Sequence, residues 1–308
     1  MNVGFIGLGT MGAHIARNAI AGGHALKVHD LRREAAAPHI EAGATWADSV
    51  AAVADGVDVV LLSLPGPREF EAVTLGDGGL VHAMRPGQAV FDLTTNSPTV
   101  VRRAAAELAS KGIQLLDAPV SGGPDGARTA KMAIWVGGDQ ATYDRFEPVL
   151  RSVSDQPRYI GPVGAGSIAK LVHNLSGYIL QTALAETFTM GVKAGVEPEA
   201  LWEAVRQGAV GRRRVFDTMS RQFLPGRFDP PDFALELARK DVALACEVGR
   251  EFEVPMRLAH LTLQEMTEAM NRGWARRDSR TAMLLQEERA GVEVRIARDA
   301  IDAILKGD

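Results

Sequence analysis

Residues 3–12 read Val-Gly-Phe-Ile-Gly-Leu-Gly-Thr-Met-Gly, an apolar strand running directly into a glycine loop. That order constrains the fold more than any other feature, because it sets a helix N-terminus immediately behind a buried strand. The loop's backbone N–H groups and the positive end of the helix dipole then face whatever anion lies above the turn. Within Gly7-Leu8-Gly9-Thr10-Met11-Gly12, Gly7 suits the tight turn, Gly9 the approach of a pyrophosphate, and Gly12 close packing of helix on strand. The following helix is expected over 11–21 and stops at Gly22-Gly23. A second strand over 25–29 delivers Asp30, roughly 20 residues beyond the loop, where a carboxylate suits ribose hydroxyls. Alone, a Gly-x-Gly-x-x-Gly pattern is often an ordinary turn. Strand, loop, helix, strand and acid in this order indicate a dinucleotide site.

Composition narrows the class. The chain has 308 residues, enough for two domains, with 46% hydrophobic and 23% charged residues, as in ordinary globular proteins. A formal charge of −4 gives no general attraction to nucleic acid or anionic membranes. No apolar run approaches the roughly 20 residues that span a bilayer. The chain opens on a strand with no basic-then-apolar leader, so a cytoplasmic location is expected. Cys246 is the single cysteine; it is expected to pack on a helix as a small hydrophobe, and no metal-ligand spacing occurs.

The first half alternates strands and helices. Strands are expected over 57–64, 88–93, 114–118, 132–136 and 157–160, with a helix over 98–111. This is the pattern of an α/β, doubly wound, largely parallel sheet, whose ligands bind beyond the carboxyl ends of the strands. Asp30, Leu64-Pro65 and Thr94-Thr95 lie at such ends. From Ser167 onward the periodicity is helical, with a candidate long helix to Ala194 and helices near 198–208, 232–252, 255–272 and 281–290. The tail after Gly291 is left as a short helix or a frayed end. The division expected is a dinucleotide-binding domain over 1–162 and an all-helical domain over 163–308.

Two further segments carry chemistry. After a strand, Asp117-Ala118-Pro119-Val120-Ser121-Gly122-Gly123 exposes successive N–H groups suited to a carboxylate. Residues 161–174 lead through glycines into the long helix, so its first turns approach another backbone or a ligand closely. Lys170 and Asn174, four residues apart, share one helix face. An ammonium beside a carboxamide can hold the oxygen of an alcohol or carbonyl and move its proton. His173 points about 100° away from Asn174 and reads as packing or surface. Arg212-Arg213-Arg214 reads as solvated surface; an arginine of that run facing the substrate would mean a second anionic group on it.

The Gly7–Gly12 loop, 117–123, 164–174 and Lys240-Asp241 occur in the order seen in the β-hydroxyacid dehydrogenases, which the chain resembles over nearly its whole length. That family includes 3-hydroxyisobutyrate dehydrogenases and the tartronate-semialdehyde and succinic-semialdehyde (glyoxylate) reductases. The resemblance implies a Rossmann domain, an all-α second domain and an active site between them. It implies Lys170 as the catalytic residue and Ser121, Gly122, Gly123 and Asn174 as substrate-binding. It implies cofactor contacts from Leu64, Pro65, Thr95 and Lys240, and a homodimer or homotetramer formed through the helical domain. Two positions depart from the pattern: relatives commonly carry glycine near Ala130, and many place an uncharged polar residue at Glu69.

The expected reaction moves a hydride between a nicotinamide and a small 3-hydroxyacid or its semialdehyde, with Lys170 as general acid and base. A lysine suits that role if burial or nearby positive charge lowers its pKa. Asp30 favours NAD, whereas Arg32 and Arg33 leave NADP open. An imine reductase on the same scaffold and a non-catalytic dinucleotide-binding protein are the alternatives. Lys170 disfavours the first, and Lys170 with Asn174 the second.

Overall fold

The computed structural model describes residues 1–193, 195–208, 211–213, 216–251 and 256–306. The expected apolar runs become strands buried on both faces. Nine strands form one sheet: β1 (Asn2–Ile6), β2 (Ala25–His29), β3 (Thr45–Trp46), β4 (Val59–Leu62), β5 (Ala89–Asp92), β6 (Gln114–Asp117), β7 (Val120–Ser121), β8 (Ala133–Gly137) and β9 (Gln156–Gly161). The order is β3-β2-β1-β4-β5-β6-β8-β7, with β9 on β8. The run from β3 to β6 is parallel throughout, and β8 pairs antiparallel to β6 and β7.

Successive residues of the central strands enter different cores. Val3, Phe5, Val59 and Leu61 pack with Phe91 and Phe146 on one face. Ile6, Val60 and Leu62 pack with Phe70 and Val101 on the other. A sheet this apolar on both sides requires helices on both sides, and the alternating sequence supplies them. The fold is an N-terminal Rossmann-like doubly wound sheet followed by an all-α region. β3 and β7 fall outside the expected strands because two residues carry no periodicity.

The chain divides into two compact units, Met1–Val172 and His173–Asp308, and the division falls inside the long helix Ala165–Lys193. The second unit contains helices Pro198–Gln207, Leu235–Glu251, Arg257–Asn271 and Leu284–Ala290, each within the expected ranges. The tail forms a helix, Arg298–Lys306, whose Ile301 packs in a core with Trp202, Phe223 and Phe228. Cys246 is buried within Leu235–Glu251, as expected. Among the described residues of this unit, the sheet-like pairing is one isolated bridge, Ala234 to Asp278.

Ala130 ends the helix Gly123–Thr129 in the left-handed region, at φ 55° and ψ 24°. A Cβ there costs about 1–2 kcal/mol, a cost that glycine does not carry. Ala130→Gly is therefore expected to raise stability by about 0.5–1 kcal/mol after the extra chain entropy of glycine is subtracted. A thermal melt checks this; an unchanged or lower Tm contradicts it.

Candidate active site

Because the strands from β3 to β6 are parallel, their carboxyl ends lie along one edge of the sheet. Gly7 follows β1 there, Asp30 follows β2, Ser63 and Leu64 follow β4, and Leu93 to Thr95 follow β5. β7 continues along β8 past the end of β6, carrying Ser121 beyond the same edge. Thus Gly7–Gly12, Asp30, Leu64, Pro65, Thr95 and Ser121–Gly123 all gather on the side where ligands of such sheets bind. Among the described residues no helix is long and apolar enough to cross a membrane. Nor do they contain a group of three His, Cys, Asp or Glu side chains placed to hold a metal ion.

The three glycines of the first loop are required for different reasons. At Gly7, φ is 97° and an added Cβ would lie 2.2 Å from the Ser63 carbonyl oxygen. At Gly12 it would lie 1.9 Å from the Gly7 carbonyl oxygen. Gly12 therefore folds the helix start onto its own loop, with Ser63 Cβ next at 3.1 Å, a closer constraint than packing on a strand. At Gly9 nothing lies within 4 Å, and both Gly9 and Thr10 are exposed. The open side of the loop is where an anion has access to the backbone, so the residues present fit a dinucleotide.

Asp30 accepts the Leu8 N–H at 2.7 Å through Oδ2 and the Arg32 N–H at 2.9 Å through Oδ1. These bonds fix the carboxylate against the loop, while each oxygen keeps a further lone pair. The Arg32 guanidinium stands 3.8 Å from Asp30, and Arg33 lies over Trp46 and 3.8 Å from Asp48.

Behind Leu64 and Thr95 lies a buried network that the motifs do not reveal. Asp92 Oδ1 accepts the Thr94 N–H at 3.1 Å, and Oδ2 accepts Asn96 Nδ2 at 2.8 Å. Thr94 Oγ1 in turn accepts the Leu64 N–H at 3.1 Å, and Asn96 Oδ1 the Ser97 N–H at 2.8 Å. Asp92 thereby sets the backbone of both candidate cofactor segments. Burial pushes its carboxyl from the ordinary 3.8 up to about 7, against the hydrogen bonds from Thr94 and Asn96.

The native chain therefore holds a proton on Asp92 between about pH 4 and pH 7 that the unfolded chain has released. The stability this proton contributes is present at low pH and is lost as pH rises through 7. Relative to Asp92→Asn, which cannot titrate, the wild type is expected to gain on the order of 2 kcal/mol between pH 8 and pH 5. Paired denaturant titrations at the two pH values test the sign; a wild-type stability that falls relative to the variant between pH 8 and pH 5 refutes it.

Lys170 and Asn174 are half-buried on the long helix, whereas His173 is exposed. The helical spacing puts the first two on one face, as expected. Asn174 Nδ2 donates to Asp241 Oδ2 at 2.6 Å, and Lys240 Nζ lies 3.0 Å from Asp241 Oδ1. Asp241, itself buried, thus ties two of the candidate residues together, a link between positions 67 residues apart. The donated amide leaves the carboxamide oxygen of Asn174 as the group that accepts from a hydroxyl or ammonium. Arg212 is exposed and donates to the Gln207 carbonyl at 2.8 Å. Arg214 lies outside the described residues, and of Arg213 only the backbone is described.

Gly166, in the first turn of the long helix, does reflect close approach, and its neighbour is protein backbone. A Cβ on Gly166 would stand 2.3 Å from the Trp135 carbonyl oxygen and 2.7 Å from that of Asp117.

Residues 2–161 match the family described as the NAD binding domain of 6-phosphogluconate dehydrogenase. Residues 164–286 match the NAD-binding family of NADP-dependent 3-hydroxyisobutyrate dehydrogenase. The chain is 32% identical to 2-(hydroxymethyl)glutarate dehydrogenase of Eubacterium barkeri, over 96% of this chain and 97% of that one. It is 37% identical to 3-hydroxyisobutyrate dehydrogenase of Pseudomonas aeruginosa, over 68% and 70% of the two chains. The crystal structure of a Salmonella typhimurium 3-hydroxyisobutyrate dehydrogenase superposes with a TM-score of 0.81 at 29% identity, over 92% of this chain and 99% of that one.

Proposed function

The chain belongs to the β-hydroxyacid dehydrogenase family and carries out NAD(P)-linked hydroxyacid oxidoreduction, and from that premise we propose that Lys170 is its general acid and base. The observation that carries this is the placement of Lys170 and Asn174 one turn apart, half-buried, on a helix that starts against the strand leading to Ser121-Gly122-Gly123. A nicotinamide held there would supply the hydride acceptor for oxidation and the hydride donor for reduction. Lys170 Nζ takes the hydroxyl proton in oxidation and returns it to the carbonyl oxygen in reduction. Asn174 holds that oxygen and the amine in register by hydrogen bonding. The N–H groups and hydroxyl of Ser121–Gly123 hold the substrate carboxylate, fixing the carbinol carbon at a set distance from its anchor. Gly7–Gly12, Leu64, Pro65, Thr95 and Lys240 are the proposed cofactor contacts.

The proposed substrate is a small 3-hydroxyacid or its semialdehyde, and the proposed cofactor is NAD. Support for NAD comes from Asp30, whose charge repels a 2′-phosphate and whose remaining lone pairs suit ribose hydroxyls. Arg32 and Arg33 are drawn to acidic partners, Asp30 and Asp48. A panel of 3-hydroxyacids and semialdehydes, with both cofactors and with methyl esters as controls, tests the reading. We expect kcat/KM at least tenfold higher with NAD, and about a hundredfold loss when the ester removes the carboxylate. Equal turnover of acid and ester would remove the proposed role of Ser121–Gly123.

A further inference from the structure

We infer that Asp117 is a positioning residue for Lys170, fastening the first turn of the lysine-bearing helix to the strand that leads into Ser121-Gly122-Gly123. The inference rests on the assignment of Lys170 above. β6 ends at Asp117, whose side chain is fully buried. Its Oδ1 accepts the Gly164 N–H at 2.6 Å and its Oδ2 accepts the Ser167 N–H at 2.5 Å. Both donors open the helix Ala165–Lys193, where backbone N–H groups have no acceptor within the helix itself. A carboxylate bridging two of them also places negative charge at the positive end of the helix dipole. Burial raises the Asp117 carboxyl pKa, while the Ser167 and Gly164 N–H groups act against that shift by favouring the charged form.

The joint has no slack. Besides the Gly166 contacts already given, a Cβ on Gly137 would lie 2.7 Å from Asp117 Oδ1 and 2.9 Å from the Ala165 nitrogen. Small residues here let strand and helix meet backbone to backbone. Lys170 follows Ser167 by three residues, about 4.5 Å along the axis at helical rise. A shift at the anchor reaches the amine almost undiminished, because a helix moves as a rigid element. Ser121 follows Asp117 by four residues on the same connection. One carboxylate therefore references both the proton-transferring amine and the proposed carboxylate cradle. A misplacement of about 1 Å costs on the order of a hundredfold in rate.

The test uses the full-length enzyme with 3-hydroxyisobutyrate or L-serine, whichever turns over faster, and NAD. Rates are expressed per NAD-binding site counted by fluorescence titration. Asp117→Asn keeps one acceptor oxygen and loses the other. Gly166→Ala leaves the carboxylate intact and pushes the helix start away from the strand, and it serves where the first variant folds poorly. Both are expected to lower kcat per site by about 10- to 100-fold while the KM and Kd for NAD stay within twofold. A purely structural role lowers the number of sites and leaves kcat per site unchanged. A loss below threefold per site in either variant overturns the inference. Wild-type turnover by Lys170→Ala instead overturns the assignment beneath it.

Discussion

Lys170→Ala is expected to lower kcat for hydroxyacid oxidation by about a thousandfold, equivalent to roughly 4 kcal/mol of transition-state stabilisation. Its affinity for NAD should remain within twofold of wild type, because Lys170 is not among the proposed cofactor contacts, Gly7–Gly12, Leu64, Pro65, Thr95 and Lys240. Lys170→Arg separates charge from proton transfer. A guanidinium keeps the positive charge but does not deprotonate at any working pH, so it cannot serve as the base. Oxidation by the arginine variant should therefore stay within about tenfold of the alanine variant, whatever recovery of substrate KM the charge provides. Stopped-flow measurement of NADH formation, with NAD affinity measured separately by titration, distinguishes these effects. Arginine restoring more than half of the wild-type rate would show that position 170 contributes charge alone.

The second large effect is expected at Gly12. A Cβ placed 1.9 Å from the Gly7 carbonyl oxygen has no flexible side chain to push aside; the atom it meets is loop backbone. Gly12→Ala must open the turn, costing about 1–3 kcal/mol of stability by overpacking. It also turns the loop N–H groups away from their common focus, and NAD affinity should fall at least a hundredfold. Gly9→Ala provides the contrast. Its added methyl meets nothing within 4 Å, so thermal stability should barely change while NAD binding weakens. Calorimetry and NAD titration on the two variants read both quantities. Loss of stability in Gly9→Ala, or full NAD affinity in Gly12→Ala, would reverse the roles given to these glycines.

Much of the fold was legible because its signals are local. An apolar run of four to eight residues needs no partner to be seen, and the glycine loop carries its own geometry. The long helix was visible from the lack of proline between Ser167 and Ala194. Candidate site residues near strand ends followed from the same logic. What stayed hidden depends on pairings across the chain. Asp92 looks like any acid closing a strand, yet its partners Thr94 and Asn96 hold the backbones of Leu64 and Ser97. Asp117 stood within a recognised segment, but its bonds reach residues 47 and 50 positions away. Asp241 was visible only as the neighbour of Lys240 until Asn174 was found to donate to it. Sequence spacing reports which side chains share a face; it does not report which buried acid holds two distant backbones together.

The position of the Asp117 anchor has a consequence for recombining this chain with its relatives. Gly164 and Ser167 precede the division of the two units at Val172, so the opening turns of the helix belong with the strand that holds them. A hybrid spliced at 162 would pair one parent's carboxylate with another parent's helix start, and any mismatch there would pass to the amine. Exchanging helical units after position 172 keeps Asp117, the helix origin and Lys170 from a single ancestor, and moves Asn174 together with its hydrogen-bond partner Asp241.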